Sequence, residues 1–102
     1  MYEILFLQTA LDDMREIMFY ISHTLCNPDA AAILANEMID AANRLSEFPY
    51  IPAVFHPIKP LEHEYRMLYV HNYTMFYWVN EKEKQVNFYR VIYSGRDYSR
   101  HL

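Results

Sequence analysis

The chain has 102 residues, a hydrophobic fraction of 53% and one cysteine, which predicts a single folded domain over residues 1–102 and excludes an internal disulfide. No apolar run approaches the roughly 18 residues that a membrane-spanning helix needs, and the start of the chain lacks the basic residues of a signal peptide. We therefore expect a cytoplasmic protein that does not bind a membrane. Cys26 and the five histidines show no ligand-pair spacing, so we expect no metal and no other cofactor.

The formal net charge of −4 is unevenly distributed along the chain. Residues 1–50 carry eight acidic side chains against two arginines, which gives −6, whereas residues 51–102 carry seven basic side chains against five acidic ones, which gives +2. A uniformly acidic protein is poorly suited to nucleic acid. If the two halves form opposite faces, however, the second half can still meet an anion.

The first half of the chain predicts a strand followed by a helical hairpin. Residues 2–8 form an apolar run without a helical period, which favours a strand buried on both faces. Thr9 is expected to cap the first helix. Asn27 and Pro28 then have the residue types of a second helix cap and a first helical position. Because so short a break separates the two helices, they are expected to pack as a hairpin.

Each predicted helix has an apolar stripe at spacings of three and four, which indicates the side that faces the core. The first stripe is Leu11, Met14, Met18, Ile21 and Leu25. The second stripe is Leu34, Met38, Ala42 and Leu45.

The second half predicts a proline-rich crossing and a β-meander. Four prolines between positions 49 and 60 predict a loop that leads from the helices to the sheet. From Tyr65 to Tyr93 the chain is dense in β-branched and aromatic residues and is broken by one polar dipeptide and one charged turn, which predicts three antiparallel strands. The predicted fold class is α+β: an N-terminal strand, and a two-helix hairpin packed on an antiparallel sheet that the three-stranded C-terminal meander completes.

The predicted sheet is also a candidate docking surface. Seven of the ten tyrosines lie in or just after the meander, and tyrosine combines a large contact area with a polar group. Strict alternation along the last strand places Phe88 and Arg90 on one face and Tyr89 and Val91 on the other. One face is expected to cover the helices and the other to expose aromatic side chains. The candidate partner-binding residues are Tyr69, His71, Tyr73 and Tyr93.

Several short motifs occur in a specific order within this region. They are Tyr65-Arg66, Asn72-Tyr73, Phe76-Tyr77, Arg90-Val91 and Arg96-Asp97-Tyr98. With these motifs and its order of elements, the chain resembles the RelE/ParE toxins of type II toxin–antitoxin systems over essentially its whole length. The resemblance implies a growth-inhibiting toxin that a cognate antitoxin neutralises by wrapping a segment around it, in a homodimer or a toxin–antitoxin hetero-oligomer.

The resemblance also implies two alternative targets. RelE-like members are ribosome-dependent endoribonucleases that cut mRNA, whereas ParE-like members poison DNA gyrase without nuclease chemistry. RNA cleavage needs a proton acceptor, a cation on the phosphorane and a proton donor. Arg66, together with Arg96 and Tyr98, matches part of the nuclease pattern, so these three are the candidate catalytic residues. After Asn72-Tyr73, however, where that pattern has an arginine, this chain has Thr74.

We therefore favour a ParE-like gyrase inhibitor over a RelE-like mRNA interferase. A third hypothesis is a non-toxic family member that acts only as a binding module. Two arginines also have a structural interpretation: Arg66 in a salt bridge to Glu62 or to an acid of the helices, and Arg90 as a paired arginine that supports the sheet. Arg96 and Tyr98 follow Gly95 and are alternatively a solvated tail.

Overall fold

The computed structural model describes residues 1–57, 59–98 and 101–102. The strands are β1 (Glu3–Phe6), β2 (Arg66–Val70), β3 (Tyr73–Asn80) and β4 (Gln85–Tyr93). The helices are α1 (Gln8–Phe19), which a π-helical turn (Tyr20–Thr24) continues, and α2 (Pro28–Asn43), which a 3-10 turn (Arg44–Ser46) continues. Within these described ranges, no helix combines the length and the apolar character that crossing a bilayer requires.

The predicted α+β fold is confirmed, with the helices packed on one four-stranded sheet. The strand order is β1-β4-β3-β2. The predicted meander forms as two antiparallel pairs, β2–β3 and β3–β4, while β1 adds to β4 in parallel and makes the sheet mixed. The expectation that the first strand is buried on both faces is wrong, because β1 is an edge strand of four residues whose side chains are half-buried or exposed.

The second helix follows its sequence pattern more closely than the first. The Oδ1 atom of Asn27 accepts from the backbone N–H of Ala30 at 3.1 Å, Pro28 is the first helical residue, and the predicted stripe of α2 is buried. In α1, by contrast, Leu11 and Leu25 are exposed. The buried residues of α1 are Ala10 and Met14, so the side that faces the core does not include Leu11. The π-helical turn has more residues per turn than an α-helix, which rotates Leu25 away from the core.

A β-bulge decides which side chains of β4 face the helices. Phe76 pairs with Arg90, but Tyr77 pairs with Phe88, so Tyr89 has no partner on β3. An extra residue of this kind reverses the alternation beyond it. Val91 therefore joins Phe88 in the core beneath the helices, and the strict alternation predicted for this strand is wrong.

The sheet face away from the helices is not an open docking surface, contrary to the expectation from sequence. Its buried hydrophobic residues are Tyr65, Phe76 and Ile92. Phe55 of the crossing segment and Leu102 of the C-terminal tail pack against them. The chain thus covers this face with its own segments.

Candidate functional site

The turn between β2 and β3 and the end of β4 meet at one end of the sheet. Tyr73 pairs with Tyr93 across these strands, and the N–H of Ser94 donates to the carbonyl of Asn72 at 2.8 Å. His71 occupies the turn with a φ of 52°, the left-handed conformation that tight hairpin turns need. We call this region the tyrosine end; its functional candidates are Tyr69, His71, Tyr73, Tyr93 and Arg96.

All four predicted partner-binding residues lie at the tyrosine end. Tyr69 is 59% exposed and Tyr93 is 49% exposed, while Tyr73 is half-buried. The rings of Tyr73 and Tyr93 are nearly perpendicular, with centroids 5.9 Å apart. Burial, with smaller contributions from Tyr20 and Tyr93, raises the pKa of the Tyr73 phenol, although Arg96 opposes the shift. Tyr73 is therefore a neutral hydroxyl at physiological pH, suited to hydrogen bonding and apolar contact.

Two grooves flank the tyrosine end. The larger, of about 800 Å³, lies between β4 and the helical segment formed by α1 and its π-helical turn, and Tyr73, Tyr93 and Arg96 line it. The smaller, of about 270 Å³, lies between α2 and β2 and is lined in part by Tyr69 and His71. A partner segment that crosses this end of the sheet can therefore contact both grooves.

The smaller groove has a mixed charge. The Nε2 atom of His71 forms a hydrogen-bonded contact with the carboxylate of Glu37 on α2, which attaches the β2–β3 turn to that helix. Asp40 and Arg44 line the same groove. A partner there meets polar groups of both signs beside the exposed ring of Tyr69.

The larger groove contains two arginines in different states. Arg90 forms a two-point ion pair with Asp13 of α1, at 2.6 and 3.0 Å, which confirms its interpretation as a paired structural arginine. Arg96 is exposed, and in the described part of the chain its guanidinium makes no ion pair. Among the described residues that line this groove, Arg96 is therefore the cation available to a visiting molecule, and the exposed carboxylate of Glu16 lies in the same groove.

Arg66, the first candidate catalytic residue, lies away from the tyrosine end. Its Nη1 atom donates to the carbonyls of Tyr50 and Pro52 at 2.9 and 2.8 Å, and its guanidinium lies 5.1 Å from the centre of the Tyr50 ring. Its ion pair in the described part of the chain is with Glu64 at 3.6 Å, and neither with Glu62 nor with an acid of the helices, the two partners predicted from sequence. Arg66 pairs with Tyr77 on β3, four residues from Tyr73, which separates the two positions by about 13 Å along the strand.

Tyr98, the third candidate catalytic residue, is held on the sheet face away from the helices. Its hydroxyl lies 2.9 Å from Thr74 Oγ1 and donates to the carbonyl of Ser94 at 3.2 Å. Its ring packs edge-to-face on Phe76, with centroids 4.8 Å apart. Tyr98 therefore attaches the tail to the sheet. The structure does not bring Arg66, Arg96 and Tyr98 together around one position.

Sequence reasoning missed several residues that line the larger groove, among them Asp13, Glu16, Tyr20 and His101. Asp13 precedes Met14, which belongs to the buried stripe of α1. An acidic side chain at the border of a buried stripe indicates a residue that can reach the sheet, and this signal is visible in the sequence. Thr9 was placed wrongly as a helix cap. Leu7 holds the capping position, and the hydroxyl of Thr9 instead donates to the carbonyl of Tyr89 at 2.6 Å.

Comparisons with known proteins agree with this fold. The chain is similar to the solved structure of a chromosomal ParDE toxin–antitoxin system from P. aeruginosa, with a TM-score of 0.72, 16% identity, and coverage of 91% of this chain and 96% of that chain. It is also similar to the archaeal RelE–RelB complex from Pyrococcus horikoshii, with a TM-score of 0.61, 14% identity, and coverage of 94% and 98%. The RelBE2 complex from Mycobacterium tuberculosis gives a TM-score of 0.58, 21% identity, and coverage of 90% and 96%.

At these identities the structural likeness establishes the fold alone. A search of curated protein sequences finds no match. The model of one protein family, described as the ParE toxin of the type II toxin–antitoxin system parDE, matches residues 4–98. Because this match spans nearly the whole chain, the protein belongs to the ParE toxin family of type II toxin–antitoxin systems.

Proposed function

We propose that this toxin arrests bacterial growth by binding DNA gyrase through the tyrosine end of the sheet, without cutting RNA itself. The observation that carries the proposal is the burial of Thr74 and the hydrogen bonding of its hydroxyl. This residue is fully buried, and its hydroxyl is within hydrogen-bond distance of Ser94 Oγ at 2.8 Å and of the Tyr98 hydroxyl. The nuclease pattern has an arginine at this position, whereas here a neutral side chain is used to hold the tail.

The arrangement of the other candidates supports the same proposal. Phosphoryl chemistry needs its cation and its proton-transfer groups within hydrogen-bond reach of one substrate. Here Arg66 binds loop carbonyls and Tyr98 binds Thr74 and Ser94. The tyrosine end instead offers rigid aromatic rings and one arginine, which are the residue types that dominate protein–protein contacts.

A cognate antitoxin is the second proposed partner. The similar structures include a RelBE2 toxin–antitoxin complex and an archaeal RelE–RelB complex. We expect the antitoxin to cover Tyr69 and His71 at the smaller groove and to extend over Tyr73 and Tyr93, so that antitoxin and target compete for one surface. The working unit in the cytoplasm would then be a toxin–antitoxin hetero-oligomer, with a homodimer as the alternative.

The test compares Arg96→Ala with Arg15→Ala, a matched control in which an exposed arginine of α1 is removed. Each protein is expressed from an inducible promoter, and each purified protein is added to a gyrase supercoiling assay. We expect wild type and Arg15→Ala to stop growth, to induce the DNA-damage response and to block supercoiling. Arg96→Ala should lose all three effects. Unimpaired gyrase in the presence of the wild-type toxin would overturn the proposal, and harmless wild-type expression would favour the binding-module hypothesis.

RelE-like cleavage of mRNA on the ribosome is a second candidate, because Glu16 and His101 line the same groove as Arg96. These side chains supply two groups capable of proton transfer beside one cation. Mapping of mRNA 5′ ends after induction separates the two candidates. New ends within codons, together with immediate arrest of translation, would support the ribosome as the target, whereas intact mRNA with DNA damage would support gyrase.

A further inference from the structure

Helix α1 completes the hydrogen bonding of β4 where β1 has ended. The last contact in line with β1 is the N–H of Leu7, which donates to the carbonyl of Phe88 at 2.9 Å. Beyond it, the hydroxyl of Thr9 donates to the carbonyl of Tyr89, and Asp13 Oδ2 accepts from the N–H of Val91 at 2.9 Å. Residues four apart lie one above the other on a helix, so Thr9 and Asp13 together replace the missing strand.

Asp13 also determines what Arg90 can do. Its Oδ2 atom accepts from Arg90 Nε and its Oδ1 atom from Arg90 Nη2, and the two side chains are only 12% and 23% exposed. This planar two-point geometry fixes the orientation of the guanidinium. The remaining Nη1 atom then donates to the backbone carbonyl of His101 at 2.9 Å. Asp13 is thus connected, through one arginine, to the C-terminal end of the chain.

The end of the chain is part of the larger groove. Both Arg90 and His101 line it, together with Arg96. The N–H groups of His101 and Leu102 donate to the carbonyl of Tyr98 at 2.9 and 3.1 Å, and Leu102 packs on the face away from the helices. The described part of the tail is therefore attached at Tyr98, at Leu102 and at the carbonyl of His101, and the attachment at His101 depends on Arg90.

We infer that Asp13 is a positioning residue for toxicity: through Arg90 it holds the C-terminal end as one wall of the groove that presents Arg96. The inference rests on the proposed function, because it assigns a role to the surface proposed to meet the target. Asp13 neutralises Arg90, so that Arg96 is the unpaired arginine among the described residues that line the groove. Without Asp13, the groove would contain a second unpaired arginine and would lose its attached wall.

The first test is Asp13→Asn, with Asp12→Asn as the matched control. Asp12 is the neighbouring acid, and its partners are the exposed side chains of Gln8 and Arg15. In either orientation of its amide, an asparagine at position 13 places an N–H₂ group opposite one of the two Arg90 donors, so one of the two hydrogen bonds is lost. We expect hydrogen exchange at the N–H groups of His101 and Leu102 to accelerate about tenfold. Gyrase inhibition should weaken about tenfold, as expected for the loss of one charge-assisted hydrogen bond, while Asp12→Asn should match wild type.

A second variant separates positioning from a purely structural role. Arg90→Lys keeps a cation opposite Asp13, but one ammonium group cannot reproduce the fork that also reaches the carbonyl of His101. We expect this variant to unfold close to the wild-type midpoint, to show rapid exchange at His101 and Leu102, and to inhibit gyrase as weakly as Asp13→Asn does. The Nε–H resonance of Arg90, which reports its bond to Asp13, should be shifted and protected in wild type and absent from its wild-type position in Asp13→Asn.

The outcomes distinguish this inference from the proposed function. If Arg96→Ala abolishes gyrase inhibition while Asp13→Asn and Arg90→Lys inhibit like wild type, the docking surface stands and the positioning role is wrong. If both variants release the tail and inhibition is unchanged, the inference is also overturned. If the wild type does not inhibit gyrase, the proposed function fails first. In that case, release of the tail in Asp13→Asn together with weaker cleavage of mRNA on the ribosome would support the positioning role. Cleavage of mRNA at the wild-type level in Asp13→Asn would overturn it.

Discussion

The two ends of the sheet use the same kind of side chain in opposite ways. At the end that carries the β3–β4 turn, Arg66 is 16% exposed and binds two loop carbonyls. Beside it, the hydroxyl of Tyr77 donates to the carbonyl of Pro49 at 2.6 Å, and the carboxylate of Glu81 accepts from the hydroxyls of Tyr2 and Tyr50. We call this the clamped end. At the tyrosine end, Arg96 is exposed beside exposed tyrosine rings.

The difference comes from the proline-rich crossing. Proline contributes a carbonyl but no N–H, so a segment that contains Pro49 and Pro52 has more backbone acceptors than donors. Buried carbonyls need partners, and Arg66 and Tyr77 provide them from the neighbouring strands. At the tyrosine end the backbone N–H of Ser94 donates to the carbonyl of Asn72, and the rings of Tyr69 and Tyr93 remain exposed. A motif containing an arginine therefore does not indicate by itself whether that arginine binds the fold or a partner.

The largest effect is expected for Arg66→Ala. Hydrogen bonds from a charged group contribute roughly 1.5–3 kcal/mol and are costly to leave unmade, so we expect the free energy of unfolding to fall by about 2–3 kcal/mol, as measured by urea denaturation. Arg66→Lys, which keeps the charge but not the fork, should lose less. The folded fraction of Arg66→Ala should still inhibit gyrase. Normal stability combined with lost inhibition would place Arg66 at the target and would break the comparison between the two ends.

A smaller, pH-dependent effect is expected at Glu81. Hydrogen bonds from Lys84, Tyr50 and Tyr2 lower the pKa of this carboxyl from its ordinary value of 4.5 to about 2. A carboxyl whose pKa is lower in the folded state stabilises the protein above its unfolded pKa, and this stabilisation is lost as the pH falls from 4.5 towards 2. The effect should be weaker than that of Arg66, because the side chain is 52% exposed and its interactions are screened by solvent.

The measurement for Glu81 compares urea midpoints of the wild type and Glu81→Gln at neutral pH and at pH values across that window. The advantage of the wild type over Glu81→Gln should shrink as the pH falls, and added salt should reduce it at neutral pH. Glu83→Gln, in the same turn, is the control. An advantage that does not depend on pH would mean that the carboxylate does not hold the clamped end.

Local patterns predicted much of this fold, and contacts distant in sequence account for the rest. The cap at Asn27-Pro28 and the apolar stripe of α2 depend only on residues close together in the sequence, and both predictions are confirmed. The bulge at Tyr89 depends on how β4 pairs with β3, and the covering of the second sheet face depends on the crossing segment and the tail. No local pattern contains that information.

The candidate site divides in the same way. Tyr69, His71 and Tyr73 were predicted together because one hairpin carries them, and Tyr93 pairs with Tyr73 on the next strand. The state of each arginine depends on distant acceptors. Arg66 meets the carbonyls of Tyr50 and Pro52, and Arg90 meets Asp13, 77 positions away in the sequence.

The smallest effect on stability is expected for Arg96→Ala. Exposed side chains without specific partners change the free energy of unfolding by no more than about 0.5 kcal/mol on replacement, and the Arg96 guanidinium makes no ion pair within the described residues. Its urea midpoint should therefore match that of wild type. A loss as large as that of Arg66→Ala would show that Arg96 supports the fold, and the loss of growth arrest in this variant would then say nothing about the target. A normal midpoint makes that loss of function interpretable. It would show that Arg96, unlike Arg66, does not contribute to the free energy of unfolding, so that the lost growth arrest reflects a lost contact with the target.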